Sequence, residues 1–165
     1  MKFYNETLKR NISLDEVAVD VLNYICEDST KIYNVFVGAD SQREKGKTCY
    51  VTIVSITREG CGGKFYIHKT VVKERVTMRD RIWTEAFNSV KTLQDLLVEL
   101  EKLGVNSLDT LIECDQVHAD VGLNGKSKEL VNEITGYIEA YGFKAVIKPD
   151  AFVAQCIANK FTKKF

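Results

Sequence analysis

The sequence contains little that would mark a specialised scaffold: one proline, one tryptophan and two histidines in 165 residues. Its five cysteines form no C-x-x-C pair, whereas disulfide frameworks and thiolate zinc sites usually need close pairs. We therefore expect reduced thiols that mostly act as small core hydrophobes. Neither charge sign is in excess, because 23 Lys and Arg balance 23 Asp and Glu. This balance argues mildly against a dedicated nucleic-acid binder, since such proteins are commonly basic overall or over one face.

Long hydrophobic runs are also missing. No apolar stretch approaches the ~20 residues needed to cross a bilayer, and residues 1–6 lack the apolar core of a signal peptide. We therefore expect a cytoplasmic chain with no membrane partner. The hydrophobic fraction of 45% and the charged fraction of 28% are those of an ordinary globular protein, which excludes intrinsic disorder.

Hydrophobic periodicity divides the chain into helices and strands. A capping box from Ser13 to Glu16 precedes an apolar series at helical spacing, and β-branched and aromatic runs indicate strands. The predicted elements are a helix over 14–27, strands over 32–39, 49–57 and 64–76, a helix over 78–103, a strand over 110–120, a helix over 127–141, a strand over 143–148 and a helix over 151–162.

The order of these elements predicts an α/β fold. Short connections make the first three strands an antiparallel meander, with a turn over 41–47, while helices between the later strands imply parallel crossovers. We expect a mixed five-stranded sheet flanked by helices. Residues 1–30 would form an N-terminal helical extension, and residues 31–165 would form one domain.

Acidic residues stand at the ends of the predicted strands. Asp40 ends the first strand, Asp120 ends the fourth, and Asp150 follows the fifth, while Glu85 lies at the edge of the long helix's apolar stripe. Crowded carboxylates repel one another and resist desolvation. A divalent cation compensates them, and oxygen ligands suit Mg²⁺ or Mn²⁺. Two such ions about 3.5–4 Å apart can stabilise both the attacking and the leaving oxygen of a phosphodiester displacement.

Each acid also has a purely structural interpretation. Asp40 is a common residue type at the start of a turn, Asp150 is a suitable helix N-cap, and Glu85 lies four residues after Arg81, a spacing at which the two can pair on a helix surface. Asp115 is an alternative to Asp120 for the fourth strand. The two would point to opposite faces of an unbroken strand.

Other motifs are less informative. Residues 122–127 resemble a P-loop, but two residues separate the glycines where the pattern needs four. A nucleophilic pair of Cys114 and His118 lacks the exposed, electropositive setting that activates a thiol. Positive charge is concentrated between Lys64 and Arg81, which is compatible with a solvated face or with phosphate contacts.

Four segments together resemble a known family. They are VGADSQ at 37–42, MRDRIWTE at 78–85, HADVG at 118–122 and KPDAF at 148–152. In this order they resemble the YkuK-like family of prokaryotic proteins within the ribonuclease H-like superfamily, over about residues 31–165. The resemblance implies a ribonuclease H-like fold and a candidate site, but no particular substrate.

The resemblance also implies roles for single residues. Asp40 matches the first-strand aspartate that bridges metals in active members of the superfamily. Glu85, Asp120 and Asp150 match the acids of the helix, the fourth strand and the last helix, so the four would bind Mg²⁺ or Mn²⁺ and carry catalysis. The expected substrate contacts are His118, Lys148, Arg79 and Arg81.

The leading functional hypothesis is a metal-dependent nuclease that hydrolyses phosphodiester bonds in RNA or DNA. The alternative is a non-catalytic ribonuclease H-like module that binds nucleic acid or a protein partner, which the neutral overall charge favours. Nucleotide hydrolysis on a related actin-like core is a weaker hypothesis, because such proteins normally need two such domains.

Overall fold

The structure is a computed structural model that describes residues 1–60, 62–74, 76–105, 112–124 and 127–162. Its elements are β1 (Lys2–Asn5), β2 (Arg10–Ser13), α1 (Leu14–Cys26), β3 (Tyr33–Glu44), β4 (Lys47–Arg58), β5 (Gly62–Val72), α2 (Met78–Lys102), β6 (Ile112–His118), a 3₁₀ turn (Lys128–Leu130), α3 (Val131–Ala140), β7 (Lys144–Val146), a π-type helix (Val153–Ala158) and α4 (Asn159–Thr162). The π-type helix and α4 are called the C-terminal segment below. Within the described part of the chain, no helix is long and apolar enough to span a membrane.

The strands form one mixed sheet in the order β2-β1-β5-β4-β3-β6-β7. β3, β4 and β5 are the expected antiparallel meander. β6 runs parallel to β3, and β7 runs parallel to β6, as the intervening helices require. The predicted fold class is therefore confirmed.

An N-terminal hairpin extends this sheet from the expected five strands to seven. β1 pairs with β2 and with β5, where Tyr4 is opposite Ile67. Each hairpin strand has only four residues, too few for alternation to be recognised in the sequence. The predicted N-terminal helix is present as α1, and the hairpin before it is an addition that the sequence did not indicate. The division at residue 31 stays a prediction.

β3 is longer than the sequence indicated. It runs through Asp40 to Glu44, and a tight turn at Lys45 and Gly46, both with positive φ, connects it to β4. The predicted turn over 41–47 was wrong because polar residues there alternate between the two sheet faces instead of leaving the sheet. Asp40 thus lies within the strand, where it pairs with Val51 of β4.

Two hydrophobic clusters cover the two faces of the sheet. The larger packs α1, α2 and α3 against residues such as Val35 and Val37 of β3. The smaller packs the C-terminal segment against Phe36 and Val51. Neighbouring residues of β3 therefore face different helical layers. Asp40 and Ser41, which are also neighbours on β3, accordingly face different layers.

The predicted helix starts are also informative. The backbone N–H of Ser13 donates to Glu16 Oε2 at 2.9 Å, which confirms the capping box of α1. Thr77 caps α2, because its Oγ1 accepts from the Asp80 N–H at 3.1 Å. This cap places Arg79, Arg81 and Glu85 in the first two turns of α2, beside the centre of the sheet.

Candidate carboxylate site

Asp40 and Ser41 project from opposite faces of β3 and contact different helical layers. Ser41 Oγ donates a hydrogen bond of 2.5 Å to Glu85 Oε1 of α2. Thr162 Oγ1, at the end of α4, donates to Asp40 Oδ2 at 2.8 Å. Two adjacent residues of β3 thus lie beside acids on opposite faces of the sheet: Ser41 contacts Glu85 on one face, and Asp40 itself projects from the other.

Glu85 is the most deeply buried acid of the site. Its side chain is only 8% exposed. Burial, reinforced by the charges of Asp40 and Asp120, raises the pKa of Glu85 to about 8, although the Ser41 hydrogen bond and Arg81 oppose the shift. At neutral pH, Glu85 is therefore mostly protonated in the metal-free protein.

Asp40 has a related environment. Its pKa is raised, first by burial and then by the charge of Asp120, while the hydrogen bond from Thr162 and the charge of Arg81 lower it. Asp40, Glu85 and Asp120 come from β3, α2 and the loop after β6. They are called the carboxylate cluster below, because each acts electrostatically on another member.

A small cavity lies between two of the three acids, Glu85 and Asp120. Its volume is about 10 Å³, and Glu85, Ser89, His118 and Asp120 contribute to its lining. That volume is about what one water molecule needs, and its polar lining provides hydrogen-bond partners. Acids separated by 35 residues in sequence therefore share one enclosed space.

Lys148 supplies positive charge directly to Asp120. Its Nζ lies 2.9 Å from Asp120 Oδ1. The backbone N–H of Lys148 donates to the Val121 carbonyl at 2.9 Å, so the two loops are held together. A Cβ at Gly122 would approach Lys148 Cβ to 3.1 Å, so this close packing favours glycine.

Arg81 supplies the second nearby cation. Its Nη1 donates to the Ser41 carbonyl at 3.1 Å, and its charge favours the ionised forms of Asp40 and Glu85. The buried Arg81 Nε has no hydrogen-bond partner among the described residues. Arg79, by contrast, is exposed and forms an ion pair with Glu133 of α3.

His118 is buried beneath the site and packs against aromatic rings. It is 2% exposed, and its ring centroid lies 4.9 Å from those of Phe36 and Phe152. Its Nδ1 accepts from the Val153 N–H at 3.4 Å, and burial lowers its pKa to about 4. At neutral pH it therefore offers no positive charge to a phosphate and instead anchors the C-terminal segment.

The other acids lie away from this cluster's strongest interactions. Asp150 is exposed, two residues after Lys148, and its charge is not among the main ones acting on Asp40 or Glu85. Asp115 is exposed on β6 and lines a different pocket, beside Leu97 and Leu100 near the end of α2. The geometry thus favours Asp120 over Asp115.

Cys114 lies beside Asp115 and is buried enough that its pKa is raised to about 12. A thiol that remains protonated is a poor nucleophile. This agrees with the expectation that Cys114 and His118 form no catalytic pair.

The donor chemistry of the carboxylate cluster fits a hard divalent cation, because all three groups are carboxyls. As the side chains stand, no three His, Cys, Asp or Glu groups within the described ranges are close enough to share an ion. Ser41, Thr162 and Lys148 each contact one carboxyl instead. A cation bound by the cluster would therefore replace some of these partners.

Sequence reasoning missed two residues of the site. Ser41 was placed in a turn, and Thr162 is one hydroxyl residue near the end of the chain with no motif around it. No local pattern identifies Thr162 as the partner of Asp40, because the two are separated by 122 positions. Only the packing of α4 on β3 and β4 brings them together.

Comparisons with known proteins identify the family to which the chain belongs. A family model described as "Ribonuclease H-like" matches residues 16–163. The chain is also 29% identical over 170 residues to "Uncharacterized protein YkuK" of Bacillus subtilis (strain 168), covering 98% of this chain and 96% of that protein. No solved structure matches the chain.

Proposed function

Because this chain belongs to the ribonuclease H-like family, we propose that it hydrolyses phosphodiester bonds in RNA or DNA. The carboxylate cluster is the proposed catalytic site, with Mg²⁺ or Mn²⁺ as cofactor. Bound divalent cations supply Lewis acidity and charge stabilisation for in-line displacement at phosphorus.

The burial of the Glu85 carboxyl is the observation that carries this proposal. A carboxyl that is 8% exposed, and whose pKa is raised first by burial and then by two neighbouring carboxylates, is costly for a fold to maintain. Such perturbed groups concentrate at functional sites. Binding of a cation relieves the repulsion within the cluster, so the cost is offset when the ligand is present.

The chain's own residues divide the remaining tasks. Asp40, Asp120 and Glu85 are the proposed ligands. Asp150 is the proposed fourth ligand, since it follows Lys148 by two residues on the exposed side of the same loop.

Basic residues are the proposed substrate contacts. Lys148 and Arg81, the two cations beside the cluster, would orient phosphate groups there. Arg79, at the exposed start of α2, would contact the phosphate backbone further out. His118 would act indirectly, by positioning the C-terminal segment that carries Thr162.

Asp40→Asn tests the proposal directly. The substitution keeps the size of the side chain and its ability to accept from Thr162, but it removes a charged ligand. We expect metal-dependent cleavage of labelled RNA and DNA oligonucleotides to fall at least about a hundredfold, within the range typical of losing essential electrostatic stabilisation.

Asp115→Asn is the matched control for this experiment. It removes the same charge from an exposed position outside the cluster, so cleavage should stay at the level of the unmodified protein. Undiminished cleavage by Asp40→Asn, with normal folding by circular dichroism, would remove the cluster from the mechanism.

The alternative function is a non-catalytic module that binds nucleic acid or a protein partner. It is favoured by the hydrogen bond from Thr162 to Asp40 and the ion pair between Lys148 and Asp120, which give both carboxyls protein partners without a metal. Calorimetric titration with Mn²⁺ separates the two functions. The nuclease should release or absorb heat that Asp40→Asn loses, whereas the module should give no heat at millimolar metal.

A further inference from the structure

A second surface lies on the sheet face that carries Asp40, at the edge built by the N-terminal hairpin. It is a groove of about 450 Å³, and its lining includes Lys2, Tyr4, Ile67, Lys69 and Phe161. These residues come from β1, β5 and α4. The groove therefore exists only because the hairpin extends the sheet beyond β5.

The groove combines aromatic rings with cations. Tyr4 and Phe161 are only partly buried, and both pack at the border of the smaller hydrophobic cluster. Lys2 and Lys69 are exposed, and the exposed Lys160 places its Nζ 6.0 Å from the Phe161 ring centroid. Ring faces beside lysines are the features that proteins use to stack bases and hold the phosphates of single strands.

The charge of the groove is complementary to an anion despite one acidic residue in its lining. That residue, Glu6, has its Oε2 2.8 Å from Lys9 Nζ. The lining holds two lysines and one acid, so its formal charge is positive although the whole chain has a net charge of zero. The volume also lies within the range of pockets that enclose small organic ligands, which suits one or two nucleotides better than a duplex.

Sheet register connects the groove to the carboxylate cluster. Lys69 pairs with Val51, and Val51 pairs with Asp40, so these residues form one row across β5, β4 and β3. Lys69 and Asp40 are thus two strand spacings apart, roughly 10 Å. Phe161 is adjacent to Thr162, the residue that donates to Asp40.

We propose that this groove binds single-stranded nucleic acid, with bases stacked on Tyr4 and Phe161 and phosphates held by Lys2 and Lys69. The proposal rests on the proposed function in that it supplies a substrate surface about two strand spacings from Asp40. It names single strands as the substrate class, because a stacking groove needs unpaired bases.

Fluorescence anisotropy with a labelled 12-nucleotide oligo(dT) tests binding without cleavage, in buffer that contains EDTA. The double variant Lys2→Gln and Lys69→Gln should weaken binding at least about tenfold. It should also reduce the slope of log affinity against log salt by about 0.7 for each lost phosphate contact. The matched control, Lys91→Gln with Lys102→Gln, removes two exposed charges from α2 on the other sheet face and should change neither.

Tyr4→Leu tests stacking with a folded protein, because leucine keeps apolar volume at a half-buried site while removing the ring. We expect about tenfold weaker binding with an unchanged salt slope. Equal weakening by the α2 control, no effect of Tyr4→Leu, or equal affinity for a blunt duplex would overturn the proposal.

The outcomes separate this inference from the proposed function. Metal-dependent cleavage that survives the groove variants unchanged would reject the groove and leave the nuclease intact. Groove-dependent binding by a protein that never cleaves would reject the nuclease and leave the groove intact.

Discussion

Glu85 shows at the scale of one residue why burial, and not sequence spacing, gives an acid its chemistry. Sequence spacing alone equally allowed a solvated partner for Arg81. In the folded chain burial raises the pKa of Glu85 to about 8, although the hydrogen bond that it accepts from Ser41 opposes the shift. The protonation state of the site is therefore a property of packing.

The raised pKa predicts a pH dependence of stability in metal-free buffer. A carboxyl whose folded pKa exceeds its unfolded value of about 4.5 binds more protons in the folded state, so its stabilising contribution is complete below about pH 4.5 and is lost as pH rises through about 8. We expect the free energy of unfolding in urea, measured with EDTA, to fall by a few kcal/mol from pH 6 to pH 9.

Glu85→Gln provides the control, because the amide cannot titrate. Its unfolding free energy should fall much less over the same range, because the remaining groups with raised pKa values, Asp40, Cys49 and Cys114, do not include Glu85. Parallel pH profiles for the two proteins would contradict the assigned protonation of Glu85.

The proposed effect of Lys148 on metal binding depends on its ion pair with Asp120. Lys148 provides Asp120 with a counter-charge, so a metal must compete with it. Lys148→Met keeps the side-chain length and removes the charge, and we expect Mn²⁺ to bind about threefold to fivefold more tightly, in line with the modest strength of partly exposed ion pairs. Calorimetry measures this change, with Lys144→Met as the control, and weaker Mn²⁺ binding would show that Lys148 does not compete.

The N-terminal hairpin shows at the scale of an element that four-residue strands can be integral to a sheet. Phe3 and Ile12 are 0% and 2% exposed and belong to the larger hydrophobic cluster. Their side chains enter the same core as α1 and α2. The hairpin thus contributes side chains to the main hydrophobic core.

Phe3→Ala should therefore destabilise the whole protein. Removing a fully buried phenylalanine typically costs 3–5 kcal/mol, about the range we expect for the free energy of unfolding. Leu8→Ala, in the exposed hairpin turn, should change it by less than about 0.5 kcal/mol. Denaturant titration measures both, and a small effect of Phe3→Ala would show that the hairpin folds independently of the core.

The carboxylate cluster is assembled only at the scale of the whole molecule. Its members come from a central strand, a helix on one face and a loop after a parallel strand, while Thr162 arrives from the other face. An unfolded chain scatters these groups, so a cation that binds the cluster binds only the folded state. Metal binding and global stability must then be linked.

Mn²⁺ should raise the Tm of the unmodified protein. At one hundred times its Kd, a ligand adds about 2.7 kcal/mol, which for a chain of this length corresponds to roughly 5–10 °C. Differential scanning calorimetry should show this rise for the unmodified protein and for Asp115→Asn but not for Asp40→Asn. A metal-independent Tm would favour the non-catalytic module.

The sequence by itself determined the order and type of most elements and the fold family. Apolar spacing, the capping box at Ser13 and the strand runs are local signals, and four motifs in order identified the family. It also singled out Asp40, Glu85 and Asp120, because acids at strand ends and on an apolar helix edge stand out against a hydrophobic pattern.

Only the tertiary structure decided how those acids are satisfied. Ser41 and Glu85 are 44 positions apart, and Thr162 and Asp40 are 122 apart, so no local pattern relates them. It also added the hairpin, kept β3 extended beyond Asp40 and left Asp150 exposed. Partners of buried polar groups depend on which distant surfaces pack together, and that is a property of the folded chain as a whole.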